Sequence, residues 1–359
     1  MSSLPPPSAR IPVKIQDLPP RWAHLCLEVS TFTSEMIESG LSGKRILLAV
    51  SGGVDSLCLL LIFKSLEQKF NLILEVAHLD HGFRPSSENE AKWVKQFCQS
   101  LGLACHIQRA SKISNQEHKP KGLEEKGRNW RYAFFEKLRE QQQLDYIALA
   151  HNLNDLAEDQ LMRMIRGCGW PELGGMPAYD PRRKLIRPIL MQPRVDLQQM
   201  LNELDIPFII DESNASPDFM RNRVRMNIVP QLMQENNGYL EHAQKLWSLA
   251  QTDQSFWDEY LDRFEFKTTK NQIILPLSII FKEKEAVRLR MFRFCLQKLA
   301  ELCGLDQIFT PAAQLFEINR AIMRRKSGQG SGVMQIQFPG GIVVVVGTAE
   351  LVFCCSCAG

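Results

Sequence analysis

The chain lacks any stretch approaching ~18 uninterrupted apolar residues, so no segment reads as a membrane-spanning helix. Its start, "MSSLPPPSARIPVKIQDLPPRW", has no apolar core of the kind a secretory signal needs. The expectation is a cytoplasmic protein with no membrane partner, although the basic, serine-containing arm is also compatible with an organelle transit segment. A strong charge of one sign is missing too: 43 Lys+Arg against 40 Asp+Glu leaves +3, which excludes an indiscriminate polyanion binder. Any nucleic-acid contact must come from a local patch. Paired Cys-x-x-Cys motifs are absent apart from Cys354-Cys355-Ser356-Cys357. That pair alone cannot complete a four-ligand metal site. The other cysteines among the ten lie mostly in apolar runs and read as reduced core residues. There is no internal repeat.

What is present begins with length. A chain of 359 residues is too long for one ordinary core and suggests two domains. The proline-rich stretch 1–25 reads as a poorly ordered arm. From residue 44 the chain alternates. Near-continuous apolar runs at 44–50, 72–79, 103–108 and 145–151 read as strands covered on both faces, with helical patterns at 54–69, 87–101 and 122–142 between them. This βαβα order predicts an α/β fold, a doubly wound, mostly parallel sheet over 26–232. A boundary is expected in 231–240, where "ENNG" interrupts the pattern. Residues 233–359 read as a smaller, mainly helical domain: helices at 241–264, 282–302 and 311–325, a short strand at 271–277, and terminal strands around a Pro-Gly-Gly turn.

The stretch "RILLAVSGGVDSLCLL" (45–60) ends a strand, passes through Ser51-Gly52-Gly53-Val54-Asp55-Ser56, and enters a helix. Glycines there permit a tight turn whose N–H groups face one way, and the helix N-terminus adds partial positive charge. Together they form a phosphate cradle. The lysine of the common phosphate loop is missing, and Asp55 stands inside the turn. An aspartate beside phosphate implies an intervening cation, so Asp55 is the candidate Mg²⁺ ligand. A simple capped turn is the bland alternative. Two more polar clusters, "AHLDHGFR" (77–84) and "AHNLNDLAED" (150–159), follow the second and fourth strands. Ligands of open parallel sheets sit beyond the carboxyl ends of strands, so three such clusters point to one crevice. Within the third cluster, Asp159 and Arg163 read as a solvated i,i+4 pair, whereas Asp155 and Glu158, just after His151, suit binding a metal or orienting an amine.

These residues resemble the N-type ATP pyrophosphatases, the PP-loop family, whose fingerprint is the Ser-Gly-Gly-x-Asp-Ser loop. The resemblance implies an adenine-nucleotide-alpha-hydrolase-like fold and cleavage of ATP between its α and β phosphates. It casts Ser51–Ser56, His78 and His151 as ATP-binding. Within that family the tRNA(Ile)-lysidine synthases are the similar group. "LDHGFR" (79–84), "LEEKGRNWRY" (123–132), "RMIRGCGWPELGGM" (163–176), "LIRPIL" (185–190) and "IIDESNASPDFMRNRVRMNIVPQL" (209–232) match their elements in order. The chain departs from the usual His-x-x-Asp-Asp-Gln-x-Glu-Thr element: Asn154 keeps an acceptor but loses a charge, and Leu156 replaces glutamine.

What the group implies is ligation of free L-lysine to the wobble cytidine of tRNA(Ile) bearing a CAU anticodon. ATP is co-substrate, Mg²⁺ is cofactor, and a homodimer stays open. Asp55, Arg128, Asp155 and Glu158 would be catalytic: Arg128 at the α-phosphate, and Asp155 and Glu158 at the lysine amine. Arg84, Arg131, Arg221, Arg223, Arg225, Arg324 and Arg325 would meet tRNA. The three arginines at 221, 223 and 225 cannot share one helical face, so two serve the site and one packs. Residues 280–326 hold ten Lys/Arg against five Asp/Glu, which locates the basic surface in the second domain. Three rivals stand beside this reading: a tRNA thiolation enzyme, a non-catalytic RNA-binding protein of the same fold, and a small-molecule ligase or amidotransferase.

Overall fold

The computed structural model describes residues 11–37, 39–80, 87–109, 120–210, 219–305, 310–329 and 332–355; of residues 120–126, 128 and 129 only the backbone is described. The chain divides into two compact units, Met1–Ala157 with Pro177–Leu240, and Glu158–Met176 with Glu241–Gly359. No helix among the described residues is long and apolar enough to cross a membrane.

The first unit contains α1 (Pro20–Met36), β1 (Arg45–Ala49), α2 (Val54–Phe70), β2 (Ile73–Asp80), α3 (Ser87–Ser100), β3 (Ala104–Arg109), α4 (Pro120–Gln141) and β4 (Tyr146–Ala148). After these come the start of α5 (Leu153–Ile165), then β5 (Tyr179–Asp180), β6 (Leu185–Ile186), α6 (Arg194–Glu203), α7 (Met220–Arg223) and α8 (Val229–Glu235). The sheet order is β3-β2-β1-β4-β6-β5, and every pairing is parallel except β5 with β6. Pleating decides which core each side chain joins. Ile46 and Leu48 of β1 enter the larger core with α1, α2, α3 and α6, while Leu47 faces Tyr132, Phe135 and Leu138 of α4. Burial on both faces explains why β1 lacks polar alternation; β3, expected to be covered on both faces, is instead an edge strand with no buried residue.

This order positions the site. The chain runs outward from β1 to β2 and β3, then returns to lay β4 on the other flank of β1, with Leu48 opposite Ala148. The connections leaving β1 and β4 therefore diverge, which makes the gap between them the topological switch point.

The arm expected over 1–25 is ordered from well before its end. A turn spans Ile15–Asp17 and α1 begins at Pro20; Trp22 is fully buried and donates its indole N–H to Glu203 Oε2 at 2.7 Å. Proline content suggested disorder, but proline at the first helical position starts a helix instead. The first ten residues lie outside the described set.

The second unit adds α9 (Tyr239–Leu261), β7 (Lys267–Thr269), β8 (Gln272–Pro276), α10 (Leu277–Ile280), α11 (Glu285–Leu302), α12 (Ala312–Lys326), β9 (Met334–Phe338), β10 (Ile342–Val346) and β11 (Glu350–Cys355). The anticipated terminal strands join β7 and β8 in a five-stranded antiparallel sheet, β7-β8-β11-β10-β9, packed on α11 and α12. The single boundary expected near 232 is crossed by an earlier segment, since residues 158–176 belong to this unit. Buried polar groups hold them there. Gln160 donates to the carbonyls of Gly174 and Ala243 at 3.0 and 2.8 Å. The Glu172 carboxylate accepts from Arg293 (2.9 Å), Gln297 (3.1 Å) and Thr310 (2.8 Å).

Gly174 lies so close to α9 that an added Cβ would sit 2.2 Å from Ala250 Cβ. That obstacle is anchored directly to helix backbone and cannot swing away. Gly174→Ala is therefore expected to destabilise the second unit by about 1–3 kcal/mol, read as a lower urea midpoint; an unchanged midpoint would contradict this packing.

Candidate active site

Ser51–Gly53 connect β1 to α2. Gly52 has φ +93°, a left-handed conformation that glycine adopts without strain. The Ser56 hydroxyl organises the turn: it accepts from the N–H groups of Ser51 (3.1 Å) and Gly52 (3.2 Å) and donates to the Gly53 carbonyl (3.0 Å). The turn's N–H groups do face one way, and here they point at the protein's own hydroxyl. Gly53, the residue before the helix, gives no side-chain cap to α2. The first-turn N–H groups of α2 thus keep their partial positive charge for an anion.

Asp55 lies in that first turn, with Oδ1 buried and without a hydrogen-bond partner. Burial pushes its carboxyl above the usual range; Arg194 and Arg225 oppose that shift, Asp155 adds to it, and a hydrogen bond from Asn152 offsets part of it. The same neighbours show that the β1 and β4 loops converge, bringing together Asp55 and Asp155 as the spacing of polar clusters predicts.

The β4 loop is built around a reciprocal cap. Asn152, just before α5, accepts from the Asp155 N–H at 3.0 Å, while Asp155 Oδ2 accepts from the Asn152 N–H at 3.1 Å. Asp155 Oδ1 then accepts from Arg221 Nη2 (2.9 Å) and Arg225 Nη2 (2.8 Å). Arg223 is exposed and Val224 buried between them, so Arg221 and Arg225 share the face turned to the site. Asn154 Oδ1 accepts the N–H of Arg194 at the start of α6 at 2.9 Å, a task that needs an acceptor and no charge. Glu158 lies one turn along α5 and is 2% exposed. Asp159 and Arg163 form the expected i,i+4 pair at 2.7 Å, but both side chains are largely shielded rather than solvated.

His78 on β2 is buried, and its Nδ1 lies 2.8 Å from the Val50 carbonyl, so Nδ1 carries the proton. Burial lowers its pKa, keeping the ring neutral. His151 Nδ1 accepts from Arg187 Nε at 3.1 Å. Asn152, Arg187 and Arg194 escaped the sequence reading. Arg187 hides inside the apolar run "LIRPIL", where a lone buried guanidinium is the one signal that something needs it.

The basic residues of 280–326 are in part internal. Arg288 and Arg293 are buried on Asn319 and Glu172, and Arg290 donates to the Trp170 carbonyl. Arg325 donates to the carbonyls of Gly332 and Val346, whereas Arg324 is exposed, which narrows the expected charged rim. Arg131 is exposed on α4. Arg84 and the side chain of Arg128 lie outside the described residues, as do Asp211, Ser213, Asn214 and Cys357. Cys354 and Cys355 are successive on β11 and so point to opposite faces. Among the described residues no group of three or more His, Cys, Asp or Glu could hold a metal ion. The buried, unpartnered oxygen of Asp55 still fits Mg²⁺, which is commonly held by one or two carboxylates plus substrate phosphates.

The chain is similar to known proteins. A family model described as a PP-loop domain matches residues 27–232. A tRNA(Ile)-lysidine synthase of Nitratidesulfovibrio vulgaris is 36% identical over 283 residues, covering 73% of this chain and 81% of that protein. One from Enterococcus faecalis is 30% identical over 300 residues, 82% of this chain and 63% of its own length. Another, from Geobacillus kaustophilus, is 36% identical over 220 residues, of which the chain spans 47% of the relative. The chain thus spans most of one relative and less than two thirds of the other two. Among solved structures, the U34-tRNA thiolase NcsA of Methanococcus maripaludis aligns with a TM-score of 0.51 at 17% identity, over 64% of this chain and 78% of that one. That likeness concerns the fold.

The raised carboxyl of Asp55 has a thermodynamic sign. Between its unfolded and folded pKa values the folded state holds the extra proton, so stability falls as pH rises through that window. Asp55→Asn is therefore expected to melt higher than the wild type at pH 7, with the gap closing toward pH 4. Thermal scans across pH check it, and a variant that melts lower at pH 7 would contradict the reading.

Proposed function

From the premise that the chain belongs to the PP-loop family of ATP-using enzymes and, within it, to the tRNA(Ile)-lysidine synthases, we propose that it ligates free L-lysine to C2 of the wobble cytidine in tRNA(Ile) with a CAU anticodon. The observation that carries this reading is the meeting of Asp55 and Asp155 at the switch point between β1 and β4. One strand end offers a phosphate cradle, and the other the start of α5, where Asp155 is held by Asn152, Arg221 and Arg225 and Glu158 follows one turn on.

In the first half-reaction cytosine O2 attacks the α-phosphorus of ATP; the new O–P bond forms as the bond to the β-phosphate oxygen breaks, releasing pyrophosphate. The Ser51–Ser56 turn and the first turn of α2 hold the phosphates, with the Ser56 hydroxyl free to exchange its internal N–H partners for phosphate oxygen. Asp55 would hold Mg²⁺, which when bound supplies the positive charge that lets phosphate sit beside a carboxylate. Arg128 would face the α-phosphate, where charge builds during transfer.

In the second half-reaction the lysine ε-amine attacks C2, and AMP departs with the former O2. Adenylation makes a poor leaving group a good one. The amine must first lose a proton, since an ammonium group has no lone pair. Asp155 already accepts from Asn152, Arg221 and Arg225, which suits it to holding geometry; Glu158, buried one turn on, takes the proton. Arg84, Arg131, Arg223 and Arg324 are assigned to the tRNA, whose target base must leave its stack to be reached. We place the reaction in the cytoplasm, where its substrates reside.

Incubation with CAU-anticodon tRNA(Ile), ATP, Mg²⁺ and labelled lysine should yield lysine-bearing cytidine by nucleoside mass analysis. Glu158→Gln is expected to slow lysine transfer by about 100-fold or more while tRNA-dependent pyrophosphate release persists. Full lysine-dependent turnover by that variant would overturn the role of Glu158, and unlabelled cytidine in the wild-type reaction would overturn the function.

A further inference from the structure

Arg187 follows β6, the strand paired with β4, and is only 6% exposed. Its Nε donates to His151 Nδ1 at 3.1 Å and its Nη1 to the Pro177 carbonyl at 2.7 Å. A guanidinium offers only donors and does not deprotonate in proteins. Nδ1 of His151 must therefore present its lone pair, and the proton of the neutral ring sits on Nε2. His78 is the mirror case: its Nδ1–H is spent on the Val50 carbonyl, so Nε2 carries the lone pair. The strands β2 and β4 flank β1 on either side. His78 on β2 and His151 in the loop after β4 thus present opposite functions at Nε2, an acceptor from His78 and a donor from His151. What the partner of the far nitrogen is decides which.

We propose that Arg187 is a positioning residue that fixes His151 as an Nε2–H donor to a phosphate oxygen of bound ATP, a role that rests on the ATP-using reading of the site. The planar guanidinium serves the ring nitrogen and the Pro177 carbonyl at once, so ring tautomer and ring orientation are set together. A lysine, with its compact ammonium on a flexible stem, holds neither as firmly.

Long-range ¹⁵N–¹H NMR of the full chain, with its histidines labelled, reads the tautomer directly. Wild type should show His151 as Nε2–H, and Arg187→Met should show a mixture of the two tautomers. ATP affinity should fall about tenfold in Arg187→Met, as expected for losing an ion-assisted hydrogen-bond arrangement. In a His151→Ala background the same substitution should cost nothing further, because the effect passes through His151. Arg187→Lys should restore part of the affinity. An Nδ1–H tautomer in the wild type, or an equal loss of affinity with and without His151, would overturn the proposal. Should Arg187→Met fail to fold, the wild-type tautomer and the cycle made with Arg187→Lys decide it. The tautomer is measured without nucleotide, so its failure concerns Arg187 alone, whereas a wild type that binds no ATP overturns the reading beneath it.

Discussion

Two carboxylates, Asp55 and Asp155, lie beyond the ends of neighbouring strands, near enough for the charge of Asp155 to push the Asp55 carboxyl up, and the site depends on that costly arrangement being tolerated. Like charges in a partly dry setting repel. The repulsion is offset by one amide and three cations: Asn152 bonds to both acids, Arg221 and Arg225 meet one oxygen of Asp155, and Arg194 and Arg225 lower the field at Asp55. These partners come from the β4 loop, from the start of α6 and from the α7 region. The polar network thus ties segments far apart in sequence to a single point.

Sheet and site differed in how openly they were written. The strands β1, β2 and β4 could be read because burial on both faces demands unbroken apolar runs, and the Gly-Gly turn because only a few residue types bend a chain so sharply; β3 is an edge strand with none of its residues buried. The two-residue strands β5 and β6 carry too short a pattern to read. Helix α1 was masked by the prolines ahead of it. The excursion of 158–176 into the second unit rests on pairs such as Gln160 with Ala243 and Glu172 with Arg293, whose partners lie more than eighty residues away. Charge counting failed for a related reason. Arg288 and Arg293 raise the local total, yet both are consumed inside the unit.

The departures from the family pattern become intelligible in place. Asn154 accepts a backbone N–H at the start of α6, and an amide oxygen does this as well as a carboxylate. Losing the charge there also spares the acidic pair a third like-signed neighbour. Leu156 is fully buried, so its position rewards an apolar side chain.

Helix α5 belongs to both units: Leu153–Ala157 are counted with the first and Glu158–Ile165 with the second. The polypeptide therefore passes between the two assemblies three times, and the acid pair Asp155 and Glu158 straddles the dividing line within one helical turn. A fragment ending near residue 240 would retain Gln160 and Glu172 but strip away the α9, α11 and Thr310 groups that satisfy them. The Glu172 carboxylate would then lose the partners named above, and Gln160 would keep only the Gly174 carbonyl. Trimming the tail near residue 240 would therefore divide α5 from the groups that its second half and the segment after it pack against.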